Sequence, residues 1–326
     1  MPSPLTILRR LMLPASLAAA SAVGLLPGVA SAGTPGMPAS TAATPASAGP
    51  SAAHPCGASP AAAAPAHYAH VIWIIMENKS LSQVLGSPDS PFLNQLGNQC
   101  GIATNDTAIS HPSLPNYIAM TSGSPQGITD DASPSAHPLA VPSIFSQLGG
   151  GWRGLDESMK SNCEQANDGL YAVRHNPAAY YTNIRTVCDQ RDIPLTSSSN
   201  LTTDLSARFT FITPDVCDDE HDNCAGGGAA GELRTGDAFL ASFVPKVLSS
   251  PEYTSGTTAV FITFDEGEDA TNKVFTVVVA PTVTPGTVSA QSFSHFSMLR
   301  TTEEMLHLPL IAGAQTAASM RQAFGI

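Results

Sequence analysis

Short apolar runs and longer amphipathic stretches alternate along this chain. Residues 69–75 (A-H-V-I-W-I-I), 209–213, 258–264 and 274–280 are largely apolar, and each is too short for an ordinary helix. Runs of that length without a polar face mark strands covered on both sides, as in a parallel sheet between helices. A weaker strand is expected over 102–109. Helical spacing recurs over 80–85, 90–96, 143–148, 297–306 and 317–324. It is clearest over 232–248, where Phe239, Leu240, Phe243 and Val247 share one face. Strand and helix alternate throughout, which predicts an α/β fold with a mainly parallel sheet. Between 152 and 200 the pattern is irregular, and the stretch reads as a long insertion held by a disulfide.

One segment stands apart. Residues 109–124 (I-S-H-P-S-L-P-N-Y-I-A-M-T-S-G-S) carry Pro112 and Pro115 and then turn helical, ending near Gly123. Proline fixes φ and is tolerated only at a helix start, so regular helix is not expected before Pro115. Ser113 then falls just ahead of a helix N-terminus, where free N–H groups favour an oxyanion or phosphate. The ordinary alternative is a serine that only caps the helix.

The ends of the chain narrow the setting. Arg9 and Arg10, an apolar run over 11–26 and the small residues Val29-Ala30-Ser31-Ala32 have the form of an export signal, with cleavage near Ala32. The run is broken by Pro14 and by several Ser and Gly residues, which argues against a permanent membrane span. Residues 33–66 are almost wholly Ala, Pro, Ser, Gly and Thr and read as a linker, leaving 67–326 as a single domain. The net charge of −12 includes two arginines and no acidic residue in the first 32 positions. The exported chain is therefore near −14, with no basic cluster, and nucleic acid is not an expected partner. Six cysteines, all beyond the signal, read as a disulfide framework. Cys56–Cys100, Cys163–Cys188 and Cys217–Cys224 are the expected pairs, among about fifteen pairings that six cysteines allow.

Chemistry-bearing residues collect where apolar strands end. Glu77-Asn78 follows the first run, Asp218–Asp222 follows the second, and Asp265-Glu266 follows the third. Ligands in open α/β sheets gather at the carboxyl ends of strands. Carboxylates with imidazole nearby suit a divalent cation. Each cluster also has an ordinary role: Asn78 can cap a helix, Asp265-Glu266-Gly267 can be a solvated turn, and the Asp218 run can be an acidic loop tied by its cysteines.

The motifs H-V-I-W-I-I-M-E-N, T-A-I-S-H-P-S-L-P-N-Y, Y-A-V-R-H-N-P, T-P-D-V-C-D-D-E-H-D, V-F-I-T-F-D-E-G-E and S-H-F-S-M-L-R-T-T-E-E-M-L occur in this order. In them the chain resembles the bacterial phosphoesterase family of secreted acid phosphatases, phosphatidylinositol-3-phosphatase-type enzymes and phosphocholine-type phospholipases C. The resemblance implies an alkaline-phosphatase-like three-layer α/β/α sandwich. It makes Ser113 the nucleophile and places a divalent metal ion of unspecified identity on Glu77, Asn78, Ser113, Asp265 and Glu266. His111, Asn116 and Asp222 then line the phosphate pocket, and His221 or His295 serves as the proton donor. The family's T-P-N-x-x-N-D-x-H-D has Asp215 and Asp218 here in place of two asparagines.

The resulting expectation is a secreted, metal-dependent phosphomonoesterase of the acid phosphatase type, with a small phosphate-ester or phosphoinositide substrate. The competing readings are a phospholipase C-type phosphodiesterase and an exported binding module without turnover. The second would have lost a nucleophile or metal ligand, yet Ser113, Glu77, Asn78, Asp265 and Glu266 are all present.

Overall fold

A computed structural model describes residues 49–58 and 64–326. The expected export signal at 1–32 and the first part of the expected linker lie outside the described residues. Nine strands form one sheet: β1 (His70–Met76), β2 (Gly101–Thr107), β3 (Trp152–Glu157), β4 (Asp192–Leu195), β5 (Phe209–Thr213), β6 (Thr258–Phe264), β7 (Lys273–Val279), β8 (Thr287–Ser289) and β9 (Phe293–Ser294). Their order is β4-β3-β5-β1-β6-β7-β2-β8, with β9 also paired to β2. β1 lies mid-sheet between β5 and β6, parallel to both. Its residues Val71 to Met76 are wholly shielded from solvent, as an unbroken apolar run requires. Only β7 runs against its neighbours, β6 and β2. The carboxyl ends of β1, β2, β3, β5 and β6 therefore share one edge.

The helices are α1 (Leu81–Val84), α2 (Pro91–Gln99), α3 (Ser113–Ser122), α4 (Ile144–Leu148), α5 (Arg185–Arg191), α6 (Leu201–Asp204), α7 (Ala229–Leu248), α8 (Pro251–Thr254), α9 (His295–Met305) and α10 (Arg321–Phe324). They make the outer layers of an α/β/α sandwich: α2 packs on α7, and α3 packs on α9. Trp73 bridges sheet and helix layer, its indole edge-on to Phe209 and its N–H donating to Thr302 Oγ1 at 3.0 Å. No helix among the described residues is long and apolar enough to cross a membrane.

Four expectations need correction. The stretch 152–200 is no mere insertion, because β3 and β4 lie within it and extend the sheet beyond β5. Arg153, Gly154 and Asp156 break the apolar signal there. Helix α3 begins at Ser113, with Pro112 as its cap. Pro115 sits in the first turn, where a missing N–H costs nothing, and Gly123 ends the helix in the left-handed region at φ 72°. At the C-terminus, the helix expected over 317–324 shortens to α10. Finally, residues 50–58 of the expected linker are docked. Cys56 is buried and bonded to Cys100, and Tyr253 donates its hydroxyl to Pro55 O at 2.6 Å. Disulfides Cys163–Cys188 and Cys217–Cys224 close two further loops.

Candidate active site

The carboxyl edge of the sheet gathers acidic side chains around Ser113. As the first residue of α3, Ser113 is nearly buried and donates its hydroxyl to Glu77 Oε2 at 3.0 Å. Tyr117, one turn further along the same helix face, donates to Glu77 Oε1 at 2.7 Å. Asp265 follows β6 directly and receives the Asn78 N–H at 3.1 Å. Asn78 itself adopts φ 52°, a left-handed conformation that Asn tolerates.

The loop after β5 supplies Asp219, His221 and Asp222. Its backbone is tied to β1 by Glu77 N–H donating to Asp219 O at 2.7 Å. The fully buried Lys79 reinforces that tie, donating to Asn78 O at 3.1 Å and Glu220 O at 2.9 Å while pairing with Glu232 at 3.1 Å. His175 spans the cluster, with Nε2 at 3.2 Å from Glu77 Oε1 and Nδ1 at 3.0 Å from Asp219 Oδ2. Both contacts are close but lack hydrogen-bonding angles, so His175 Nε2 and Asp219 Oδ2 are left without a hydrogen-bond partner. Arg174 donates to His221 Nε2 at 3.0 Å, and the other ring nitrogen of His221 lies 2.7 Å from Asp222 Oδ1.

Crowding and burial set the electrostatics. The Glu77 carboxyl is pushed well above its ordinary range, chiefly by loss of water and then by Asp265 and Asp219. Asp219 is raised for the same first reason. Asp265 rises to about 7 through burial and the Glu266 charge, opposed by the backbone N–H groups of Asn78 and Glu266. Burial drives His175 well down, assisted by Arg174 and His221. Three buried carboxylates with few cations beside them are an unfavourable arrangement unless positive charge is added. Asp265 Oδ2, Asp219 Oδ2 and His175 Nε2 are unpartnered, and Glu77, His175 and His221 offer ligand atoms within 4.8 Å of one another. Hard oxygen donors joined by imidazole nitrogen fit a divalent cation.

Glu77, Ser113 and Asp265, three of the residues singled out in the sequence, thus meet at one place. Glu266 turns aside, accepting from Asn116 Nδ2 at 3.0 Å and lying 3.1 Å from His111 Nδ1. Asn116 has no exposed surface, and its amide is engaged by the serine loop. Its oxygen accepts from the Ile109 and Ser110 N–H groups at 2.9 Å each, and its nitrogen also donates to Ser110 O at 3.0 Å. It holds the serine loop in shape. His111 is half-exposed at the rim. His295 is buried behind Asp265, with Nε2 at 2.5 Å from the Asp265 carbonyl, and burial lowers it to about 4. Asp219 belongs to the Asp218–Asp222 cluster singled out in the sequence, whereas His175, Tyr117 and Arg174 have no role there. The motif Y-A-V-R-H-N-P was the available signal for two of them.

An α/β/α sandwich carrying a serine at a helix start, over carboxylates and imidazoles at the sheet's carboxyl edge, defines the class of the alkaline phosphatase fold. An alkaline phosphatase superfamily protein of Vibrio parahaemolyticus superposes with a TM-score of 0.53 at 11% identity, covering 79% of this chain and 72% of that one. The phosphonate monoester hydrolase of Silicibacter pomeroyi superposes with a TM-score of 0.51 at 11% identity, covering 79% and 76%. Residues 87–309 match the Phosphoesterase family, to which this chain belongs, and it is a hydrolase acting on phosphoric ester bonds. It is 26% identical over 263 residues to a phosphatidylinositol-3-phosphatase of Mycobacterium tuberculosis, covering 79% of this chain and 83% of that one. A probable acid phosphatase of Kluyveromyces lactis is 27% identical over 256 residues, which span 72% of this chain but only 58% of the yeast protein.

Proposed function

We propose that this chain is an exported, metal-dependent phosphomonoesterase of the acid phosphatase type, working through a phosphoserine at Ser113. The observation that carries the reading is the Ser113 hydroxyl, 3.0 Å from Glu77 and set inside a cluster of buried carboxylates and imidazole. Glu77, Asp265, Asp219 and His175, with Ser113 and Asn78 beside them, form the donor set for a divalent ion. When bound, such an ion supplies positive charge that favours the serine alkoxide and offsets the phosphoryl charge. The names of the relatives make a phosphate monoester, including a phosphoinositide head group, the substrate class of choice. Three disulfides support an oxidising compartment.

The reaction divides into two displacements. Ser113 Oγ passes its proton to Glu77 Oε2 and attacks phosphorus in line; an Oγ–P bond forms, and the ester P–O bond breaks toward the leaving alkoxide. Of the two histidines considered for protonating that alkoxide, His221 is the partly exposed one, whereas His295 is sealed behind Asp265. His221 gives its proton to the alkoxide and then takes one from the water that attacks phosphoserine, while Glu77 returns its proton to the departing Ser113 Oγ, regenerating the free hydroxyl. Arg174 moves from His221 Nε2 to the equatorial oxygens when substrate binds, which frees that nitrogen to carry the proton while Asp222 stays on Nδ1. Glu77 and Tyr117 orient Ser113 throughout.

Turnover of p-nitrophenyl phosphate against its bis ester, with and without chelator, tests the reading. Hydrolysis of the monoester that chelator stops is the expected result. Preference for the bis ester, or indifference to chelator, would overturn it.

A further inference from the structure

A carboxylate from outside the cluster reaches the start of the nucleophile helix. Asp131, exposed on the loop after α3, accepts the N–H of Leu114 at 3.0 Å. Leu114 is the residue after Ser113, and Pro115 has no N–H to offer, so this is one of few free donors at that helix end. Those donors and the helix dipole are what an anion next to Ser113 would use. The loop is pinned on both sides of Asp131. Asp130 Oδ1 lies 2.6 Å from His137 Nε2 and accepts from Ala132 N–H at 3.0 Å, while the Tyr180 hydroxyl donates to Ala132 O at 3.0 Å. Asp131 is therefore held in place, and its charge is felt by neighbours: it acts on Glu266 at the end of β6 and on Tyr180.

We propose that Asp131 is a charge-selecting residue, whose carboxylate holds the N–H next to Ser113 and disfavours phosphoryl groups with two negative charges relative to those with one. The proposal rests on Ser113 being the phosphoryl acceptor. A phosphate monoester loses its second proton near pH 6, so the same ester changes charge across the working range of a phosphatase. Below that pH it enters as a monoanion and meets one unit of repulsion from Asp131. Above it the repulsion doubles. The groups facing Asp131 are Glu266 with His111 from the serine loop, Tyr180 with Arg174, and Asp130 with His137 on its own loop. Arg174 is engaged by His221, and His137 by Asp130. A helix cap alone would need only an acceptor, which a neutral side chain also provides.

The test compares Asp131→Asn with wild type in the full chain with Ser113 intact, through the KM of p-nitrophenyl phosphate and the Ki of inorganic phosphate. At about pH 7.5 both constants should fall about three- to tenfold in the variant, the range of one partly screened charge. At about pH 5, where phosphate is a monoanion and half the repulsion remains, the change should be about the square root of that, roughly two- to threefold. A gain of the same size at both pH values, a larger gain at the lower one, or none at either would overturn the proposal and leave Asp131 as a helix cap. Asp131→Ser, also neutral and able to cap, must reproduce the asparagine pattern. Loss of turnover in Ser113→Ala is read separately and tests only the nucleophile.

Discussion

Tyr117 and His175 lie ring against ring, centroids 5.3 Å apart and 11° from coplanar, and both reach the same carboxylate oxygen, Glu77 Oε1. The stack joins α3, which carries the serine, to the loop that carries Arg174 and His175. Glu77 is thereby fixed from three directions, since its other oxygen takes the Ser113 hydroxyl.

Tyr117→Phe keeps the stack and removes only the hydroxyl. A hydrogen bond to a charged group contributes about 1.5–3 kcal/mol, so kcat/KM should fall at least about tenfold while the fold persists. Steady-state kinetics with circular dichroism as a folding control would check this. Unchanged kinetics would mean that Glu77 needs no orientation by Tyr117.

Ser113→Ala separates nucleophile from cap. As a cap the serine would be worth about 0.5–2 kcal/mol of stability with turnover intact. As the nucleophile its loss should abolish turnover at nearly constant Tm, and wild type quenched in acid during turnover should carry phosphate on Ser113. A folded variant that keeps most of its activity removes the phosphoserine from the mechanism.

Metal removal should silence the enzyme, and readdition of a divalent ion should restore it. His175→Ala should weaken metal affinity by about 10–100-fold, in line with losses seen when groups orienting a metal site are removed. Titration of the chelated protein with Mn²⁺ or Zn²⁺ gives the affinity directly. Equal affinities in wild type and variant would exclude His175 from the donor set.

Stability should depend on pH through Asp106, near the end of β2. Burial raises its carboxyl from 3.8 to about 6, with Thr276 donating to Oδ2 at 2.8 Å and Oδ1 unpartnered. The folded chain holds that proton where the unfolded chain has lost it. Stability from this group is therefore greatest below pH 3.8, falls as pH rises through about 6, and is constant beyond. The loss is about 3 kcal/mol. Asp106→Asn should flatten that part of the profile, as urea midpoints between acidic and neutral pH would report; an unchanged slope would assign it elsewhere.

The apolar code of this fold was open to reading where burial was complete. β5 and β6 carry the bounds expected from their apolar runs, and β1 differs by a residue at each end. β3 was hidden because its Arg153 pairs with Asp204 and its Asp156 is buried among polar partners, so its polar residues answer to local contacts rather than to a solvent face. The site shows the same division. Glu77 and Asp265 follow strands directly, so their place at the sheet edge came with the strands. His175, Asp219 and Asp131 owe their positions to loop conformation, which no periodicity records. Glu266 illustrates the limit from the other side: adjacent to Asp265 in sequence, its carboxylate accepts from Asn116 and lies beside His111, contacts that no strand pattern records.

The Cys56–Cys100 bond has a consequence for how the enzyme is oriented when it is held in place. Cys100 immediately precedes β2, whose direction matches β1 and β6, so the bond sits at the sheet rim opposite Ser113. Tyr253, which anchors Pro55, leads into β6 at that same rim. A support or surface coupled at the exposed His54, two residues before Cys56, would grip the molecule by its back and leave the catalytic mouth pointing outward. Catalyst and handle occupy opposite poles.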